Sequence, residues 1–339
     1  MLEGKFDIGW LYVGGRYEIH REREKMVGQA YVEYIRPVPT RRRYPVVFMG
    51  GGLQTGAPFL ATADGRPGWG QQFVQDGYAV YMVDRPGMGR AGHTIGHVMS
   101  RATHTQFSVE NWTRAAEHAH WRHAKLHTQW PGEGRPGDPI FDQYFAAQVP
   151  DTFERERAEE LATNAIVELI DKIGPIVIVN HSFSSAFGWQ IADKRPGHVV
   201  AIIAVEPSGP PFGNNMPWGL TWTALQFDPP VTDPNQLRGA VEPGAKGHHR
   251  ECIRLAAGYR LPNLADHGLK VAVVASEASS HHEYEDCTVA FLRDAGVDAE
   301  PLYLWEHGIL GNNHMMFFEK NSEAIGQLFL DWLDRRLPD

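Results

Sequence analysis

Short apolar runs of strand length recur along the chain. FDIGWLYVGG and MVGQAYVEYI come first. Both are rich in β-branched and aromatic residues and read as an opening antiparallel pair. PVVFMGGG, YAVYMVDRPG, PIVIVNHS, VVAIIAVEP, KVAVVASE and PLYLWE follow. These six are apolar throughout rather than alternating, as strands buried on both faces of a parallel sheet are. Helix-like segments lie between several of them: GWGQQFVQDG, ERERAEELATNAIVELIDKIG and HEYEDCTVAFLRDAG, with SEAIGQLFLDWLDRRL at the end. The alternation predicts α/β architecture, a mostly parallel, doubly wound sheet in one domain over residues 1–339.

Two stretches interrupt that rhythm. Residues from about 93 to 155 are rich in His, Trp and Pro and contain no good strand. Residues from about 208 to 262 are Pro/Gly-rich, with PPFGNNMPWG and DPPVTDPNQ. Long connections inside a compact domain are usually functional. Both are expected to be helical cap insertions over the carboxyl ends of the strands, where open α/β sheets bind ligands.

Composition narrows the function. Apolar residues make up 42% of the 339, ample for a large core. A formal charge of -9 disfavours nucleic acid as a partner. Arg41-Arg42-Arg43 is a short run before an apolar strand and reads as solvated surface. No stretch approaches 18 apolar residues, so no membrane span is expected. The start, MLEGKFDIGW, lacks a basic region followed by an apolar run, which makes the cytoplasm the default expectation. The two cysteines, Cys252 and Cys287, have no CxxC spacing, so no cysteine-based zinc or redox motif is expected. Their spacing does not decide whether they pair.

Chemistry enters with PIVIVNHSFSSAFGWQIA. An acyl-transfer enzyme built on such a sheet carries its nucleophile on a sharp turn between a buried strand and a helix. Here the strand Ile176–Val179 leads into Asn180-His181-Ser182-Phe183-Ser184, then a helix. Ser182 is therefore the candidate nucleophile. The turn needs small residues two before and two after it. Ser184 meets that need, whereas Asn180 stands where glycine is usual. Asn tolerates unusual backbone angles better than most residues.

A serine hydroxyl needs a base. HGILGNNHMMFF follows the last strand, and of its two histidines His314, after a Gly-Asn-Asn turn, is favoured over His307. The acid that fixes the imidazole tautomer has two candidates from spacing alone. Glu277 follows the seventh apolar run, and Glu206 ends the sixth, before Pro207. The oxyanion donors are expected to be the Phe183 N–H and the Gly51-Gly52 loop, with Gly51 the favoured loop donor. Trp218, Trp222 and Phe227 are candidate pocket walls.

These residues resemble a group of bacterial α/β-hydrolase esterases typified by an Alcaligenes esterase. The resemblance runs almost end to end, through LYVGGR, QAYVEYIRP, the glycine loop with DGRPGW, GYAVYMVDRPGMGR, HSFS, VEP, GNNHMM and LDWL. It implies the α/β-hydrolase fold, Ser182 as nucleophile, Glu206 rather than Glu277 as acid, and His314 as base. It also implies a cap and a homodimer.

The reading is two-step hydrolysis of a small, apolar or aromatic carboxylic ester or lactone, with no cofactor and no metal. A thioesterase or amidase on the same residues is the alternative. A metal-dependent hydrolase would use His120, His123 and His127 on one helical face, but no HExxH motif accompanies them. A catalytically silent binding protein would resist a fluorophosphonate probe at Ser182.

Overall fold

Neighbouring residues on a buried strand face opposite ways, and that divides the core in two. Val47, Met49, Ile176, Ile178, Ile202 and Ala204 pack on one face of the main sheet. Val46, Phe48, Val177, Val179, Ile203 and Val205 pack on the other. A computed structural model of the chain describes residues 4–92, 104–151, 153–244 and 250–338. Within these the strands are β1 (Phe6–Val13), β2 (Arg16–His20), β3 (Arg23–Val27), β4 (Ala30–Pro37), β5 (Val46–Met49) and β6 (Val80–Asp84), then β7 (Ile176–His181), β8 (Val199–Val205), β9 (Arg238–Pro243), β10 (Glu251–Leu255), β11 (Lys270–Ala275) and β12 (Asp298–Tyr303). Eight form one sheet in the order β1-β4-β6-β5-β7-β8-β11-β12. β1 and β4 pair antiparallel, from Phe6 opposite Pro37 to Val13 opposite Ala30, and β4 pairs antiparallel with β6. The other pairs are parallel.

Helices cover the two faces. α1 (Trp69–Asp76) and α5 (Ser322–Arg336) bury Trp69, Phe73, Phe329 and Trp332 on one. α2 (Arg155–Ile173), α3 (Ser185–Lys194) and α4 (Glu285–Asp294) bury Ile166, Leu169, Phe187, Trp189 and Phe291 on the other. This is the doubly wound sheet that the apolar runs predict. Two small hairpins, β2–β3 and β10–β9, stand apart from it.

The two expected insertions differ in make-up. Residues 93–103 lie outside the described residues; from 104 to 151 the chain forms short helical turns that bury Trp130, Phe141 and Tyr144. The described part of the second stretch is mostly loop, with one short helical turn (Pro234–Leu237) and the β9–β10 hairpin. Cys252 on β10 is disulfide-bonded to Cys287 on α4, which staples that hairpin to the main body. The segment before it is held by a buried acid. Glu159 on α2 accepts hydrogen bonds from the Trp222 N–H (3.2 Å) and the Thr223 N–H (2.6 Å). Burial pushes its carboxyl up to about 7 against those donors.

Candidate active site

The sharp turn after β7 is present. Ser182 has φ 51°, in the left-handed region that non-glycine residues rarely adopt. Such strain persists only where neighbours over-determine the backbone. The Ser184 hydroxyl donates to the Met49 carbonyl on β5 (2.8 Å), and the Ser185 hydroxyl donates to the Ser182 carbonyl (2.6 Å). The Ser208 N–H, on the loop after β8, donates to both the Ser182 carbonyl and the Ser185 hydroxyl.

Asn180 is tolerated for a reason other than its backbone. It keeps the extended geometry of β7. Its side chain occupies the space over Gly188 on α3, where a Cβ would run into the Asn180 amide nitrogen. The glycine usual at the turn has in effect moved onto the helix. Gly188→Ala is therefore expected to destabilise the fold by about 1–3 kcal/mol, and Asn180→Gly in the same chain to recover most of that loss. A double-mutant cycle in urea checks it; additive losses would break the link.

His314 and Glu206 meet. The His314 Nδ1–H donates to Glu206 Oε2 at 2.6 Å, and Glu206 is fully buried. The carboxylate also accepts from the Ser276 N–H (2.9 Å), the Ser276 hydroxyl (2.5 Å) and the Ser279 hydroxyl (2.8 Å). Burial alone would raise this carboxyl. The hydrogen bonds from His314 and the Ser276 hydroxyl outweigh it and bring it down to about 2. Its folded value thus lies below its ordinary 4.5, so the stabilisation is present above that and is lost as pH falls towards 2. Glu206 also has a positive φ, 44°.

The rest of the surroundings fix the imidazole. His181 donates from Nε2 to the His314 carbonyl (3.0 Å), and its ring lies 4.4 Å from that of His314. Because Ser182 directly follows His181, nucleophile and base candidates share one cluster. No hydrogen bond joins Ser182 Oγ to His314 in this conformation; such pairs are often long before substrate tightens them. His314 lies on a turn, and the last helix begins only at Ser322. Glu319 shapes that turn by accepting from the Asn313 N–H, the Asn312 amide and buried His127. Trp112 packs 6.3 Å from His314, and the carbonyls of Asn111 and Trp112 accept from the Asn313 amide. The sequence signalled neither Glu319 nor Trp112; only proximity in space identifies them.

Other candidates sort by contact. Glu277 accepts from the Gly311 N–H and makes no contact with His314. In the glycine loop, the Gly51 N–H is taken by Gln54 Oε1 (3.1 Å), which corrects Gly51 as loop donor. The Gly51 carbonyl accepts from buried Arg85 (2.8 Å), so the N–H of the same trans peptide, that of Gly52, points the opposite way. The Gly52 and Phe183 N–H groups have no partner among the described residues. A Cβ on Gly51 would lie 2.7 Å from His181 Nδ1 and 3.1 Å from Ser182 Cβ, so glycine is required there. Trp222 reaches the site, 4.7 Å from Phe183. Phe227 and Trp218 pack into the core on that face.

The metal-binding rival is not assembled. The helical turn ends at Ala119, which has φ 48°, so His120, His123 and His127 share no helical face. His120 is paired with Glu110, His123 lies against His282, and His127 is bound to Glu319. Glu206, His281 and His314 do bring potential ligand atoms within 4.8 Å of one another. The hydrogen bonds already made to Glu206 occupy that carboxylate. Cys252, Asp286 and Cys287 form a second such group, its cysteines spent in the disulfide.

A mostly parallel sheet with a strained serine between strand and helix, and a buried carboxylate–imidazole pair beside it, defines an α/β hydrolase. No family model matches the chain. It is 39% identical over 337 residues to a probable secreted lipase, phiG, of Fungal sp. (strain ATCC 74256), covering 96% of this chain and 89% of that protein. In fold it is similar to a novel bacterial esterase solved at atomic resolution, with a TM-score of 0.63, 20% identity, and 97% and 96% of the two chains covered. With that kinship on the sequence, the chain belongs to the lipase and esterase family of α/β hydrolases and is a carboxylic ester hydrolase.

Proposed function

We propose that Ser182, His314 and Glu206 hydrolyse a carboxylic ester through an acyl-enzyme. The observation that carries this is the buried 2.6 Å hydrogen bond from His314 to Glu206 beside a strained serine. With Nδ1–H committed to Glu206, Nε2 of the neutral ring is left to take the Ser182 proton. Ser182 attacks the ester carbonyl, and the Gly52 and Phe183 N–H groups receive the oxyanion. His314 then protonates the leaving alcohol, and a water activated by the same ring releases the acid.

The acyl or alcohol group of the substrate is apolar or aromatic. Phe183, Phe187 and Trp222 cluster beside the oxyanion donors, and the relative is described as a lipase. A panel of esters and lactones of graded acyl and alcohol size tests this. Rates should rise with apolar or aromatic groups; a preference for charged or very small groups would contradict it.

The chain works in an oxidising compartment. This replaces the cytoplasmic expectation on two supports: the Cys252–Cys287 disulfide and a relative described as secreted. No helix among the described residues is long and apolar enough to cross a membrane. Intact mass of the protein isolated from its own host, before and after alkylation, should show no free thiol. Two alkylated cysteines would place it elsewhere.

The protein forms a homodimer. The family resemblance supports this, as does the edge strand β1, whose Ile8, Trp10 and Tyr12 side chains are all exposed on one face. Apolar edges of this kind are normally covered. Light scattering should give twice the chain mass, and Trp10→Glu should halve it. A monomeric wild-type protein would contradict the proposal.

A further inference from the structure

The candidate base lies against a second buried imidazole that the hydrolytic scheme does not use. His281, on the loop after β11, stacks on His314 with ring centroids 4.7 Å apart and planes 13° from parallel. It is firmly held. Its Nδ1 is 2.7 Å from Glu285 Oε1 and 2.9 Å from the Tyr284 hydroxyl, and its backbone N–H donates to Ser279 Oγ (3.2 Å). Ser279 in turn donates to Glu206. One loop therefore steadies the acid and supplies a face for the base.

Burial disfavours charge on His281. Glu285, Tyr284, Glu206, His314 and Arg250 face it. Burial takes its imidazole down to about 3, against the attraction of Glu206, and burial pushes the Glu285 carboxyl well up. Glu285 Oε1 and the His281 ring therefore share one short hydrogen bond in a buried site. An uncharged aromatic face attracts a cation and has much less attraction for a neutral ring. In ester hydrolysis His314 is neutral before attack and an imidazolium as the tetrahedral species forms. A contact that strengthens as that charge appears lowers the barrier and leaves substrate binding alone.

We propose that His281 is a positioning residue for His314, its stacked face aligning the ring with Ser182 and steadying the imidazolium formed during hydrolysis. The inference rests on the reading of Ser182, His314 and Glu206 given above.

The test compares His281→Leu and His281→Phe in the full-length chain, with Ser182→Ala alongside. His281→Leu fills the space without an aromatic face and should lower kcat about tenfold with KM little changed. Its acid limb in kcat/KM should move to lower pH, because the cationic ring has lost support. His281→Phe, which keeps the face but cannot titrate, should retain most of kcat and the wild-type limb. Circular dichroism and thermal unfolding identify variants that fail to fold; His281→Phe against wild type then still decides. Leu and Phe variants that behave alike, or an effect confined to KM, would overturn the proposal. Should Ser182→Ala stay active, the hydrolytic reading itself fails. Should it be dead while His281→Leu matches wild type, only this inference fails.

Discussion

Ser182→Ala is expected to lower kcat by about a million-fold, the loss typical when the nucleophile of such a unit is removed. The substitution deletes a single oxygen. Ala keeps the Cβ that Ser182 already places at φ 51°, so the turn adds little new strain. The ties that hold the turn run through the Ser182 carbonyl and through Ser184 and Ser185, not through the lost hydroxyl. Substrate binding should therefore survive, and KM should change far less than kcat. A residual rate above water is expected from the oxyanion donors alone. Steady-state hydrolysis of an activated ester, with unfolding followed in parallel, separates loss of chemistry from loss of fold.

Glu206→Gln is expected to cut kcat by about ten-thousand-fold. An ionised Glu206 makes Nδ1 the protonated nitrogen of His314. A glutamine amide offers a donor as well as an acceptor, and with the donor towards His314 it reverses the tautomer. Nε2 then carries the proton and cannot take one from Ser182. The charge that steadies the imidazolium is lost too. Stability should fall with activity, because the Ser276 N–H and the hydroxyls of Ser276 and Ser279 lose a carboxylate acceptor in a buried site. Leaving such donors unsatisfied costs about 1–3 kcal/mol. Glu277→Gln is the control. Among the described residues Glu277 accepts from the Gly311 N–H alone, so kcat should stay within about tenfold of wild type. A mild Glu206→Gln beside a severe Glu277→Gln would reverse the assignment of the acid.

The sheet could be read from the sequence because a strand buried on both faces leaves a continuous apolar run, as VVAIIAV does in β8. The β2–β3 hairpin left no such trace, because RYEIH and REKMV are mixed and bury little. Ser182 and His314 are candidates because each follows a recognisable run, whereas spacing leaves Glu206 and Glu277 open and the family resemblance alone favours Glu206. What surrounds them was not visible. Asn180 looked like a departure explained by backbone freedom, yet its partner is Gly188, on the helix that follows the nucleophile. His281, Glu319 and Trp112 reach the base by folding, from segments with no motif of their own. The Gly51 N–H looked available until Gln54 closed on it. A helical face for His120, His123 and His127 assumed a continuous helix, and the chain turns at Ala119 instead. Periodicity reports which residues are buried; it does not report which polar groups find each other.

Covalent labelling with a fluorophosphonate, followed by peptide mass spectrometry, tests the central claim most directly. The probe phosphonylates a serine, with loss of fluoride, only where the serine's proton is taken as it attacks. One adduct per chain on the peptide containing Ser182, abolished in Ser182→Ala and strongly slowed in Glu206→Gln, is the predicted result. Ester hydrolysis that persists with Ser182 unlabelled, or an adduct on another serine, would contradict the account.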